Sequence, residues 1–148
     1  MKTLALRIIV GMTVLTTVFI WGNSFQNSED SNAVSSVVVE TMEKITESEA
    51  ADTKLNIFVR KAAHLLEFAL LGALLAMIKA ISGRFSCFAV LFVSLAVAVA
   101  DEMIQHFNGR TDSVTDIALD FGGALCGIAI IVLAAAVRRR TKTASKKT

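Results

Sequence analysis

The sequence predicts an all-α polytopic membrane bundle of about four transmembrane helices with an amphipathic segment on its outer side. The composition is 54% hydrophobic with no proline and no tyrosine, and the mean hydropathy is +0.62. Four stretches, 4–21, 59–80, 85–107 and 113–137, approach or exceed the roughly 20 mostly apolar residues that a helix needs to cross a bilayer core. Their apolar runs are too long for ordinary strands and lack the strict alternation of a transmembrane barrel. With 148 residues and no evident internal repeat, the chain reads as a single domain, 1–148.

The first span opens with Lys2 and Arg7 and runs apolar to Ile20. That pattern competes with a signal peptide. The run closes in Phe19-Ile20-Trp21-Gly22-Asn23-Ser24, however, without a clear small-x-small cleavage site, so a retained helix is expected. Residues 23–56 are the least hydrophobic part of the chain. Within them Val34, Val37, Val38, Met42 and Ile45 recur at helical spacing, with Glu40, Glu43, Lys44, Glu47 and Glu49 supplying the polar side. This predicts an amphipathic helix on the outer membrane surface or capping the bundle, with a loop as the alternative.

In the second span Lys61, His64, Glu67 and Leu71 fall on one helical face. The third contains no charged residue from Phe85 to Ala100 and then meets Asp101-Glu102-Met103-Ile104-Gln105-His106-Phe107-Asn108-Gly109-Arg110. Ionisable groups at membrane depth are costly, so their default reading is functional. Asp101 and Gln105 share a face, and Glu102 and His106 share the adjacent one. Asn108-Gly109 predicts a tight turn, and Ser113 or Asp112 can cap the fourth span. There Ser113, Asp116 and Asp120 form another stripe. Gly123 and Gly127 make a G-x-x-x-G pair suited to close helix approach, as do Gly72 and Ala76 on the second span. Cys87 and Cys126 are expected to pack as small apolar residues.

Lys2, Arg7, Lys79, Arg84, Arg138, Arg139, Arg140, Lys142, Lys146 and Lys147, ten of the fifteen Lys and Arg, lie on one side of this arrangement. By the positive-inside rule that side is cytoplasmic, with both termini inside and 138–148 a basic cytoplasmic tail. The tail suits anionic lipid, and no nucleic-acid partner is expected.

The three stripes all occupy the outer ends of their helices. At about 1.5 Å per residue, Glu67, Asp101 and Asp120 stand roughly 17–25 Å above the inner ends. A common site explains this most economically. Glu67, Asp101, Glu102, Asp112, Asp116 and Asp120 face Arg60, Lys61 and Arg110 as bases. Carboxylates so crowded should take up protons, bind a cation or open to water. Arg110 is the expected counter-ion and can grip a carboxylate or phosphate with its guanidinium fork. His64 with Glu67 and Asp101 could ligate a metal, but the spacing is not a zinc signature, and neither metal nor cofactor is expected.

The string Arg60-Lys61-Ala62-Ala63-His64-Leu65-Leu66-Glu67-Phe68-Ala69-Leu70-Leu71-Gly72 resembles the second-span motif of VanZ-like membrane proteins. Asp101-Glu102-x-x-Gln105-x-Phe107, then Gly109-Arg110-x-x-Ser113-x-x-Asp116 and Asp120-Phe121-Gly122-Gly123, resemble their other motif. Ser24-Phe25-Gln26-Asn27-Ser28 is similar to the polar stretch after the first helix. Two departures stand out: Asn108 where many relatives have proline, and Asp120 where many have asparagine. The second adds an acid to the site. The resemblance implies a multi-pass protein of the bacterial cytoplasmic membrane with a cell-envelope role. The founding member is associated with resistance to teicoplanin-type glycopeptides in Gram-positive bacteria.

Three readings follow. In the favoured one, an outer-leaflet site of Lys61, His64, Glu67, Asp101, Glu102, Gln105, Arg110, Ser113, Asp116 and Asp120 binds an envelope lipid, a lipid-linked wall intermediate or a lipophilic glycopeptide. In the second, Glu67 or Asp101 works with His64 as acid and base of an intramembrane enzyme. The third is a proton- or ion-coupled carrier, which calls for a homo-oligomer because four helices enclose little pathway. No nucleophile motif, phosphate-binding loop or CxxC pair names a reaction.

Overall fold

The computed structural model describes the backbone of residues 2–25, 49–108 and 114–145, and the side chains of all these except 49–57 and 142–145. Among the described residues four helices run up and down: α1 (Lys2–Ser24), α2 (Glu49–Ser82), α3 (Cys87–Phe107) and α4 (Val114–Ser145). Each contains a stretch long and apolar enough to cross a membrane, of 23, 25, 21 and 28 residues. At about 1.5 Å per residue these are roughly 32–42 Å long, enough for a hydrocarbon core of about 30 Å.

Two helices outrun the spans that hydropathy marks. α2 begins at Glu49, ten residues before 59. α4 continues past 137 through Arg138–Arg140 to Ser145, because nothing there breaks a helix: the segment has neither proline nor glycine. The apolar face expected between Val34 and Ile45 lies outside the described residues.

The ends that turn are chemically marked. Gly83 closes α2 with φ of 65°, a left-handed conformation that suits glycine, and its amide donates to the Lys79 carbonyl at 3.0 Å. Ser86 starts α3 as its N-cap, its hydroxyl accepting from the Ala89 amide at 3.0 Å. Asn108 ends α3, donating from Nδ2 to the Ile104 carbonyl at 2.9 Å.

The distribution of side chains is that of a protein solvated by lipid. Leu15, Phe88, Phe92, Ile130 and Leu133 are exposed, whereas Ser24, Ser94, Asp101, Glu102, Gln105 and Asp120 are buried. Hydroxyls within the apolar spans bond to their own helix: Thr13 to the Ile9 carbonyl at 2.8 Å, Thr17 to Thr13 at 3.0 Å and Ser94 to Val90 at 2.9 Å. Water-free surroundings demand this, since an unsatisfied polar group there costs several kcal/mol, about the loss of a hydrogen bond in hydrocarbon. Cys87 and Cys126 are free and exposed on the outside of the bundle rather than packed within it.

The tightest seam joins α2 and α4. A Cβ on Gly72 would overlap the Ala124 backbone, one on Gly123 would stand 2.5 Å from the Leu65 carbonyl oxygen, and one on Gly127 would overlap the Ala69 carbonyl. Lipid tails are as apolar as leucine, so backbone approach of this kind carries helix association. Gly122 takes no part, because nothing lies within 4 Å of the Cβ it lacks. Next to the seam Ile20, Phe68, Leu71, Val97, Ala98 and Ala124 form one buried cluster, and Ile9, Leu74 and Ile78 form another nearer the chain termini.

Candidate functional site

The antiparallel course of the helices puts the end of α1, the early turns of α2, the end of α3 and the start of α4 at one end of the bundle. Their polar residues meet there. Lys61 on α2 pairs with Asp116 on α4, Nζ to Oδ1 at 2.5 Å. Their side chains are 44% and 28% exposed, which places the pair at the mouth and limits its worth to about 0–1 kcal/mol.

One turn further in, the environment closes. Asp101 is fully buried, and two neighbours hold its oxygens: Ser24 Oγ donates to Oδ1 at 2.6 Å, and among the other described residues Gln105 Nε2 donates to Oδ2 at 2.7 Å. The Gln105 bond spans one turn of α3, and the Ser24 bond ties α1 to α3. Asn108 Nδ2 also reaches the Ser24 carbonyl at 3.4 Å. Asn23 Nδ2 donates to Glu67 Oε1 at 3.0 Å, joining α1 to α2. Glu67 Oε2 accepts no hydrogen bond from the described residues and stands 3.8 Å from His64 Nδ1. Asp120 on α4 is 3% exposed.

His64, Asp101 and Asp120 each offer a ligand atom, and these atoms all lie within 4.8 Å of one another. The grouping differs from the His64, Glu67 and Asp101 set suggested by spacing: Asp120 stands where Glu67 was expected, because the α2–α4 seam turns it inward while Asn23 engages Glu67. A cavity of about 20 Å³ opens beside the group, lined by Arg60, Lys61, His64, Gln105, Asp116 and Asp120 with Leu119. Within about one turn along the same helices, Phe68, Leu71, Ala98 and Ala124 belong to a buried apolar cluster.

Thus Lys61, His64, Glu67, Asp101, Gln105, Asp116 and Asp120 are brought together. Glu102 is buried on the same turn as Asp101. His106 faces outward, its ring edge-on to Phe107 with centroids 5.9 Å apart. Arg110 and Ser113 lie outside the described residues. The spacing argument missed Asn23 and Ser24, which hold the two innermost carboxylates of α2 and α3. Their signal in the sequence was position: two polar residues directly after an apolar run, at the end of the bundle where the other helices carry their acids.

Fold and site together define a class: a multi-pass membrane protein that gathers its polar side chains inside one end of a lipid-exposed helical bundle. The VanZ/LLP1 family model matches residues 5–135, across all four spans, and the chain belongs to that family. The family is broadly linked to glycopeptide resistance. No curated protein and no solved structure matches the chain.

Proposed function

We propose that the chain is a cell-envelope protein of the bacterial cytoplasmic membrane whose polar cluster binds the headgroup of an envelope lipid, a lipid-linked wall intermediate or a lipophilic glycopeptide, and that this binding underlies resistance to teicoplanin-type drugs. Both termini lie in the cytoplasm in this reading, and the cluster opens to the outer leaflet. The observation that carries it is the convergence of all four helices on buried polar groups, with Arg60 and Lys61 beside the cavity leading inward. Such burial is expensive in a membrane and is best explained by use. In this reading Arg110, three residues after Phe107 in the sequence, would supply a guanidinium fork for an anionic group.

Teicoplanin susceptibility of a sensitive Gram-positive host tests the proposal, comparing empty vector, wild type, Glu67→Gln and Arg110→Ala at matched membrane expression. Protection by wild type and its loss in both variants is expected. Equal protection by all three proteins would separate the phenotype from the cluster.

A second reading, intramembrane acid–base chemistry, draws support from the imidazole–carboxylate pair of His64 and Glu67 at 3.8 Å. It predicts turnover of a lipid-linked substrate that Glu67→Gln abolishes while binding persists.

A further inference from the structure

We infer that His64, Asp101 and Asp120 form a binding site for one divalent cation of the zinc or manganese type, and that this cation receives the anionic headgroup. The bridging role rests on the lipid-binding reading above, whereas the cation site rests on geometry.

The cluster is more than a gathering of acids. One imidazole and two carboxylates from three different helices aim ligand atoms at a common point, all within 4.8 Å. Metal–ligand distances of about 2.0–2.2 Å hold even opposed ligands no more than about 4.4 Å apart. Small side-chain rotations therefore close the set. The adjoining cavity of about 20 Å³ accommodates one water-sized guest, since roughly 10–15 Å³ suffices for a water.

The strongest independent sign is Asp120. It is 97% buried by its 3% exposure, it lines the cavity, and no hydrogen bond or ion pair reaches it from the described residues. Among the described residues, that carboxyl lacks the partner that buried polar groups ordinarily have. A cation supplies it.

The surroundings suit a metal ligand set. Ser24 and Gln105 fix Asp101 by a hydrogen bond on each oxygen, which holds the carboxylate in one orientation. Glu67 Oε2 stands 3.8 Å from His64 Nδ1, beyond hydrogen-bond distance but near enough to favour a cation-bound imidazole electrostatically. An imidazole among oxygen ligands favours zinc or manganese over calcium or magnesium, which prefer oxygen alone.

A cation also resolves an electrostatic conflict. Among the described residues, Glu67, Asp101, Glu102, Asp116 and Asp120 outnumber Arg60 and Lys61 at this end, and Lys61 is already engaged by Asp116. A metal would let a phosphate approach a site that carboxylates alone would repel.

The test uses full-length protein purified in detergent, stripped with chelator and titrated with Zn²⁺ or Mn²⁺ alone. Wild type should bind one equivalent, and His64→Ala and Asp120→Asn should each weaken binding about tenfold or more. His106→Ala, which removes the exposed imidazole at the same end, should leave it unchanged. Asp120→Asn is nearly isosteric, so monodisperse elution and an unaltered helical circular dichroism spectrum separate ligand loss from misfolding. Substoichiometric binding by wild type, or equal binding by Asp120→Asn, would overturn the cation site.

Short-chain phosphatidylglycerol, titrated with and without chelator, then separates the two readings. Lipid binding that requires the cation upholds both. Lipid binding indifferent to chelator and to Asp120→Asn overturns the bridging cation and leaves the lipid reading standing. One equivalent of metal without lipid binding upholds the cation site and removes the lipid reading.

Discussion

At the Ser24 end of the bundle, buried carboxylates and amides surround a cavity of about 20 Å³. At the Ser82 end, a cleft of about 780 Å³ between α2, α3 and α4 is walled by residues such as Ala76, Val90, Ile128 and Ile131, with Lys79, Arg139 and Arg140 among its lining. Beside the small polar cavity, Lys61 is held by Asp116 and Gln105 by Asp101, so it can discriminate. The large cleft has apolar walls and cations, a chemistry that suits acyl chains beneath anionic headgroups but fixes no orientation. Size therefore misleads here: the roomier cavity is the less specific one, and the buried hydrogen bonds mark the place where geometry has been set.

The seam that holds both regions gives the largest expected effect. Gly127→Leu would drive a side chain into the α2 backbone and should cost about 3 kcal/mol, at the upper end of overpacking, seen as loss of monodisperse protein in detergent. Gly122→Leu, facing open space, should be tolerated. If both behave alike, the α2–α4 approach is not what organises the site.

Within the polar end, Asp101→Leu should destabilise by about 2–3 kcal/mol, because it strands the Ser24 hydroxyl and the Gln105 amide in a buried position. Asp101→Asn keeps one acceptor and should cost less. Thermal unfolding in detergent ranks the two, and a milder effect of leucine would mean that the network does not hold α1 against α3.

Lys61→Met should change stability by about 1 kcal/mol or less, since the pair it forms with Asp116 is partly open to solvent. Its consequence should appear in ligand binding instead. At the opposite end, Arg140→Ala should shift the unfolding midpoint least, within about 0.5 kcal/mol, as an exposed surface change. A larger shift there than at Lys61 would reverse the contrast between the two ends.

Much of this was legible in the residues. The four spans follow from hydropathy, and the stripes of Lys61, His64 and Glu67, of Asp101 and Gln105, and of Asp116 and Asp120 follow from helical period. The G-x-x-x-G pair foretold the seam. What period cannot give is the rotation of one helix against another. That rotation decides that Asp120, rather than Glu67, completes the group with His64 and Asp101. It also brings Asn23 and Ser24 into play, since a polar residue at a helix end reads as an ordinary terminus until its partner across the bundle is known. The exposed cysteines have the same origin: an apolar helix shows no amphipathic face to say which side meets lipid.

The most direct measurement of the central claim is photo-crosslinking of a photoreactive isoprenoid phosphate to full-length protein in nanodiscs, with adducts mapped by mass spectrometry and competed by unlabelled ligand. The account predicts competed adducts around Arg60, Lys61 and Leu119, reduced in Asp120→Asn. Competed adducts confined to the cleft of Lys79 and Arg140, and indifferent to Asp120→Asn, would contradict it.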